Sequence, residues 1–578
     1  MRGDKSHRFS DLLHLHKEVK RDLSDAQLYP ELQKDAELRR NNDLSEEEKH
    51  FLQARKEMIV SSGALHRFLL LDEDEKVHPD DVPVIALGGS GGGYRASIDA
   101  VARSANGIYF QLAPILQKIR VGHLHPGPLD LYGTLITSHI FFQPPVLKDH
   151  STDDNKDERG THIALQRDWF RFSLTYNTNK LHDGLQPLPI LTAVRHERPW
   201  RDWKSPEEAF SHSNHVSSEH KDAHAWWQWF EFSSIEFGSD ELEGWIPTWS
   251  FGRHFEAGKN TQRLPERSLS LILGLCTSAP AGPLAAWLAT LYRNLPKGFL
   301  GTKIKHAADD WVEKHPKEAE RLQSHHPIHS QNEPNPFFHA EKQENRGQGF
   351  ENSPRIHLVD AGMSNNLPQH SFFRPGRDVD LMLLGDFSSD VQSGAALERI
   401  QEFGAGKGVT IKPRFPLEDL PQWPQEFVNE EEKGKENGKT KNKLLSSDEI
   451  QERFKGRYAQ ILDVEVIPET DRTEEQGPTH VDESGIRYNS RHQPQASRDT
   501  TMIYMPLLPH ACQPDYDPST APFSSSYNLV WTEEQVGIIR KTSRADVVEG
   551  IATIRKVVRE IYEAKKAARL SKASNLHE

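Results

Sequence analysis

Two short stretches carry residue types suited to acyl or phosphoryl chemistry. The first is Gly88-Gly89-Ser90-Gly91-Gly92-Gly93-Tyr94-Arg95. Glycines let the backbone take positive φ and come close to a ligand, and successive free N–H groups at a helix start can hold an oxyanion or a phosphate. A tight structural turn can look the same. A nucleotide loop fits poorly, because the Walker Lys-Ser/Thr is missing and the spacing does not give Gly-x-Gly-x-x-Gly with an acidic partner on the next strand. The second stretch is Leu358-Val359-Asp360-Ala361-Gly362-Met363-Ser364-Asn365-Asn366-Leu367-Pro368. An Asp at a strand's carboxyl end sits where open α/β sheets place their sites, and its carboxylate could take a proton from a serine. Taken alone, Asp360 reads better as the cap of a turn.

The elements that must position these stretches follow from the hydrophobic pattern. Residues 1–75 read as helices, with a helix start at Ser45 followed by Glu46 and Glu48. Val82–Leu87 is a continuous apolar run before the glycines, the pattern of a buried strand in a parallel sheet. Residues 94–119 and 129–142 read as helices around a turn at 123–128, and 148–160 as a loop. A core strand is expected at 186–195. The aromatic cluster Trp226, Trp227, Trp229, Phe230 and Phe232 suits either a lipid-facing cap or core packing. Residues 268–294 read as a helical pair and 315–352 as a surface insertion. Ile356–Val359 and Val379–Leu384 read as strands leading into Asp360 and Asp386. The charge run 429–443 reads as disordered, 468–498 as similar, and 543–570 as a long helix.

The bulk properties bound the function. The 578 residues carry 71 Lys and Arg against 85 Asp and Glu, a formal net charge of −14. That balance argues against nucleic acid as a partner, which would call for clustered basic residues. Two cysteines, Cys276 and Cys512, make no disulfide framework. The polar N-terminus lacks the apolar core of a signal peptide, and no apolar run reaches the roughly 18 residues of a transmembrane helix. A cytoplasmic chain without a transmembrane segment is expected. The 30 histidines include only local pairs such as His14-x-His16 and His123-x-His125; none has the ligand spacing of a zinc site, so no metal and no cofactor is expected.

Together the two stretches resemble the signatures of the cytosolic phospholipase A2 and fungal lysophospholipase family, whose patatin-like members use a Ser-Asp dyad. Ser-Gly-Gly-Gly-Tyr-Arg-Ala at 90–96 is similar to its glycine signature and Asp-Ala-Gly-x-x-Asn-Asn-Leu-Pro at 360–368 to its aspartate signature. Arg374–Leu381, Gly385–Ser388, Trp229–Ser233 and Tyr527–Thr532 fit in the same order. The resemblance implies an α/β fold, a central mixed sheet with helices on both faces and an inserted cap. It implies Gly92 and Gly93 as oxyanion donors, Arg95 as a stabiliser of phosphate or developing charge, Asp360 as general base and Arg377 as a second active-site arginine that binds substrate. The implied substrate is a phospholipid or lysophospholipid at a membrane surface, with a soluble enzyme binding peripherally. The implied layout is an N-terminal helical segment (1–80), a catalytic core (81–400) with cap insertions at 148–260 and 315–352, a loop-rich insertion (401–500) and a closing strand and helix (501–578).

One part of the pattern is missing. The family's serine lies in a Gly-x-Ser-Gly-Ser/Gly elbow on the strand-helix unit after the glycine loop. Here the chain runs from Arg95 through Ser97 and Ser104 to Asp130-Leu131-Tyr132-Gly133 without one. Ser90 stands in Gly-x-Ser-x-Gly but belongs to the oxyanion loop, which makes it a weak nucleophile candidate. Ser97 and Ser104 lack flanking glycines, and Ser278 has none after it. A core strand is expected to be missing along with the elbow. Either an acyl-ester hydrolase or a non-catalytic lipid-binding relative is consistent with this.

Overall fold

A computed structural model describes residues 16–90, 107–120, 171–197, 226–277, 331–341, 351–415, 446–468, 496–524 and 532–575, less a few positions within them, together with residues 130, 133–134, 479–481 and 487–489. The main helices among them, beside the single turn Thr175–Thr178, are α1 (Glu46–Ser61), α2 (Ala64–Leu69), α3 (Gly107–Arg120), α4 (Leu269–Cys276), α5 (Ala395–Gly406), α6 (Ser447–Phe454) and α7 (Glu533–Asn575). Ser45 caps α1 by accepting from Glu48 N, and Glu46, Glu47 and Glu48 fill its first turn, where negative charge meets the positive end of the helix dipole. Ser446 and Glu449 form a full capping box on α6.

A five-stranded mixed sheet forms the first core. Its order is β1 (Ile85–Gly89), β10 (Leu381–Asp386), β15 (Thr500–Pro506), β12 (Gln460–Val466) and β11 (Val409–Pro413). The first three are parallel; β12 pairs antiparallel with β15, and β11 pairs antiparallel with β12. Side chains alternate between the faces, as a strand's two-residue period requires. Met382, Leu384, Met502 and Tyr504 pack toward Ala396 and Ile400 of α5. Leu381 and Ile503 pack toward Leu65 and Leu69 of α2 and Ile554, Val557 and Val558 of α7. Helices therefore cover both faces. Ion pairs Lys565–Asp380 (2.9 Å), Lys566–Glu75 (2.7 Å) and Arg569–Asp81 (2.7 Å) hold α7 across the end of the sheet.

A second sheet is antiparallel and six-stranded. Its order is β5 (Gly244–Pro247), β4 (Glu236–Ser239), β3 (Trp226–Ser233), β2 (Ile190–Glu197), β9 (Arg355–Asp360) and β8 (Gln331–Pro334). Two small hairpins complete the strands: β6 (Phe255–Glu256) with β7 (Lys259–Asn260), and β13 (Thr479–Val481) with β14 (Arg487–Asn489). Phe230, Phe232, Phe237, Phe251 and Ile356 fill the core of the six-stranded sheet against Ile272 and Leu275 of α4.

The expected mixed sheet flanked by helices is present, and several local expectations are corrected. Residues 190–197 and 226–247, inside the span assigned to a cap, pair into the sheet that carries Asp360. Trp229, Phe230 and Phe232 are core, at most 3% exposed, rather than lipid-facing. The span 315–352 contains β8, which pairs with β9. The supposed insertion 401–500 supplies β11 and β12 to the main sheet, and 468–498 contains the hairpin β13–β14. β2 and β9, and β12 and β15, pair across long stretches of sequence, which local polarity does not reveal. Residues 429–443 lie outside the described residues.

Candidate active site

β9 ends at Asp360, which lies opposite Ala193 of β2. Its carboxylate accepts from Gly362 N at 2.8 Å and so caps the single 3-10 turn Ala361–Met363. The capping geometry and the position at a strand end coexist; one does not exclude the other. Gly362 is required here. A Cβ on it would lie 2.7 Å from Asn366 Oδ1 and 3.1 Å from Asp360 Oδ1, too close for any side chain without moving the loop.

The same loop reaches the other sheet. Asn366 Nδ2 donates to Ser388 Oγ at 2.9 Å. The Ser388 hydroxyl donates to Asp386 Oδ1 at 2.5 Å, and Asp386 Oδ2 accepts from Tyr504 OH at 2.7 Å. Asp386 is 0% exposed, and these donors satisfy its buried oxygens. Pro368 and Phe372 press on β1: a Cβ on Gly88 would lie 2.9 Å from Pro368 Cγ and 3.2 Å from Phe372. Thus the aspartate loop lies across the end of the strand that opens the glycine stretch.

Ser90 closes that strand. Its N–H donates to Gly385 O at 2.9 Å and its hydroxyl accepts from Phe387 N at 2.6 Å. It ties β1 to the end of β10. Gly92, Gly93 and Arg95, with Ser97 and Ser104, lie outside the described residues. Cys276, at the end of α4, is the nearest thing to a second reactive group: its thiol is pushed well up by burial and by the negative charge of Asp360. A thiol held protonated is a poor nucleophile.

Arg377, expected as a substrate-binding residue, is engaged on every side by buried acceptors. Its Nε donates to Glu48 at 2.6 Å, Nη1 to Glu231 at 2.8 Å and to Ser371 O at 2.7 Å, and Nη2 to Glu231 at 2.6 Å and Glu48 at 3.3 Å. All five N–H groups are used and the residue is 5% exposed. Burial alone would lower its pKa, but Glu231 and Glu48 more than reverse this and lock the charge on. Arg374 extends the network to Glu236 at 3.0 Å and lies over the Trp245 ring at 3.3 Å. Glu48, inside the helix start seen in the sequence, turns inward to these arginines.

Sequence reasoning anticipated Asp360 but not the Asn366–Ser388–Asp386–Tyr504 chain. Gly385-Asp386-Phe387-Ser388 was visible as a strand end; its partners were not, since Tyr504 is 118 residues from Asp386.

Residues 161–402 match the family model described as the lysophospholipase catalytic domain; the match includes Asp360 and starts after the glycine stretch. The matched span is less than half of the chain, and the chain is similar to proteins of the cytosolic phospholipase A2 family. It is similar to mouse (Mus musculus) cytosolic phospholipase A2 delta, 22% identical across 68% of this chain and 53% of that protein. It is also similar to human (Homo sapiens) cytosolic phospholipase A2 epsilon, 26% identical across 40% of this chain and 28% of that protein. The solved structure of human GIVD cytosolic phospholipase A2 aligns over 91% of this chain and 66% of its own, at 16% identity and a TM-score of 0.49. The chain spans about half the length of the mouse delta relative.

Proposed function

We propose that this chain is a phospholipase or lysophospholipase that hydrolyses fatty acyl esters of glycerophospholipids, with Asp360 as general base. The observation that carries the reading is Asp360 itself: a carboxylate at the end of β9, oriented by Gly362 N, in a loop laid over Gly88 at the mouth of the glycine stretch. In the proposed reaction Asp360 takes the proton of a serine hydroxyl as its oxygen attacks the ester carbonyl. The N–H groups of Gly92 and Gly93 stabilise the oxyanion, with Arg95 beside the phosphate or the developing charge. The lysolipid or glycerol oxygen leaves with a proton, and water attacks the acyl-serine to release the fatty acid. The substrate would be met at a membrane surface by a peripheral, cytoplasmic protein. Among the described residues no helix is long and apolar enough to cross a membrane.

The nucleophile is the open position. Ser90 is the one candidate among the described residues beside the glycines, and its hydroxyl is engaged with Phe387 N. The lack of a Gly-x-Ser-x-Gly elbow beyond it favours a second reading, a relative that binds lipid without turning it over. A fluorophosphonate probe distinguishes the two. Covalent labelling of the full chain that disappears in Asp360→Asn and persists in Ser90→Ala supports hydrolysis by a serine other than Ser90. Absence of labelling, with retained binding to phosphatidylcholine vesicles, replaces it with the second reading.

A further inference from the structure

The end of β10 carries a buried carboxylate that the proposed reaction does not use. Asp386 Oδ1 accepts from Ser388 N at 3.0 Å and from the Ser388 hydroxyl at 2.5 Å, and Oδ2 accepts from Tyr504 OH at 2.7 Å. The Ser388 hydroxyl has one proton, and it is spent on Asp386. Its oxygen is left to accept, and Asn366 Nδ2 donates to it at 2.9 Å. This network assigns the two ends of the Asn366 amide: the NH2 turns to Ser388, and Oδ1 turns into its own loop.

Asn366 Oδ1 lies against Gly362. A Cβ on that glycine would stand 2.7 Å from it and 3.1 Å from Asp360 Oδ1. The amide oxygen and the Asp360 carboxylate therefore flank one glycine, whose N–H donates to Asp360 Oδ1 at 2.8 Å. Bonds inside the loop give it its shape: Ser364 N and Asn365 N donate to Ala361 O at 2.9 and 3.0 Å. They do not set where the loop sits against the five-stranded sheet. The Asn366–Ser388 bond does, together with the packing of Pro368 on Gly88. The same end of β10 holds the glycine stretch: Ser90 N donates to Gly385 O at 2.9 Å, and Phe387 N donates to Ser90 Oγ at 2.6 Å. Residues 385–388 thus grip both chemistry-bearing stretches at once.

We propose that Ser388 and Asn366, anchored by Asp386, are positioning residues: through Gly362 they hold the Asp360 carboxylate in register with the glycine stretch. The effect on rate rests on the hydrolytic reading, whereas the effect on the loop does not. Placement matters because a shift of about 1 Å at a reacting group can cost about 10²-fold in rate. In the sequence Asn366 and Ser388 belong to two separate motifs. That they meet, 22 residues apart, is decided by the fold.

Full-length variants are compared for fluorophosphonate labelling and for hydrogen exchange of the peptide covering residues 356–366. Ser388→Ala is expected to lower the saturating labelling rate by about 10–100-fold, while the probe concentration at half-maximal rate stays the same. Exchange in 356–366 is expected to speed by about 2–10-fold, as for one lost hydrogen bond. Ser388→Thr keeps the hydroxyl and is expected to restore both. Asn366→Ala and Ser388→Ala act through one bond, so the double variant should label no more slowly than the slower single variant. A general loss of packing would instead make the two effects multiply. The proposal is overturned if Ser388→Ala exchanges like the wild type or labels as fast as a wild type that does label. It is also overturned if Ser388→Thr stays as slow as Ser388→Ala, or if the single effects multiply in the double variant. A wild type that does not label removes the hydrolytic reading instead, and exchange in 356–366 then decides the proposal alone.

Discussion

β1 and β9 look alike in sequence: each is a short apolar run ending in chemistry-bearing residues. In the fold they are opposites. β9 lies between β2 and β8, with Ile356 and Leu358 at most 1% exposed. β1 pairs with β10 and, among the described residues, has no strand on its other edge; Leu87 is 78% exposed and Ile85 43%. An apolar edge of that kind is normally paired or covered. The contrast teaches that the strand leading into Asp360 is paired on both edges, whereas the strand leading into the glycine stretch is paired, among the described residues, on one. In the sequence, the place where the family pattern has its elbow follows this strand, whose second edge meets no strand among the described residues.

The largest test of this contrast is the anchoring of the segment after β9. Arg377→Met leaves Glu48 and Glu231 buried without their main partner. Breaking such a network typically costs about 3–5 kcal/mol, so a large fall in thermal midpoint is expected. Acid should narrow the gap between variant and wild type. Burial pushes the Glu48 carboxyl up from 4.5, but Arg377 and Arg374 outweigh it and hold it lower. A carboxyl with a depressed folded pKa contributes stability above its unfolded value and loses it as pH falls through the folded value. A variant that melts like wild type yet no longer hydrolyses lipid would restore Arg377 to the substrate-binding role that the family resemblance implied.

Next comes the pair of leucines. Leu358→Ala removes a fully buried side chain and is expected to cost about 2–5 kcal/mol, whereas Leu87→Ala should fall within about 0.5 kcal/mol. Denaturant midpoints measured side by side give the difference. Equal costs would mean that Leu87 is covered in solution, and the description of β1 as an edge would fail.

How much of this was legible in the sequence depended on whether the signal was local. The end of β9 at Asp360 is legible because a strand end, a glycine and two asparagines sit within a few residues, and the helix start at Ser45 because capping is a three-residue affair. The apolar run Val82–Leu87 announced a strand, but nothing within it says how many neighbours the strand has. Arg377 matched a motif position, yet its role is set by Glu48 and Glu231, 329 and 146 residues away. The six-stranded sheet was hidden for the same reason. Gln331–Pro334 is polar and reads as loop, and becomes a strand only against Arg355–Leu358. Tertiary pairing decides such segments, and propensity alone does not.

The smallest expected effect separates two adjacent glycines of β1. At Gly88 an added methyl meets Pro368 Cγ at 2.9 Å, Leu384 at 3.1 Å and Phe372 at 3.2 Å; at Gly89 its nearest contact is Phe387 at 3.8 Å. Gly88→Ala must therefore push back the loop that follows Asp360, and overpacking of this sort costs about 1–3 kcal/mol. Gly89→Ala should change stability by no more than about 0.5 kcal/mol. Because the displaced atoms belong to the aspartate loop, Gly88→Ala should also slow fluorophosphonate labelling more than Gly89→Ala does. If both variants melt and label alike, the contact between Gly88 and Pro368 is not what joins the two halves of the site, and the open edge of β1 extends to its very end.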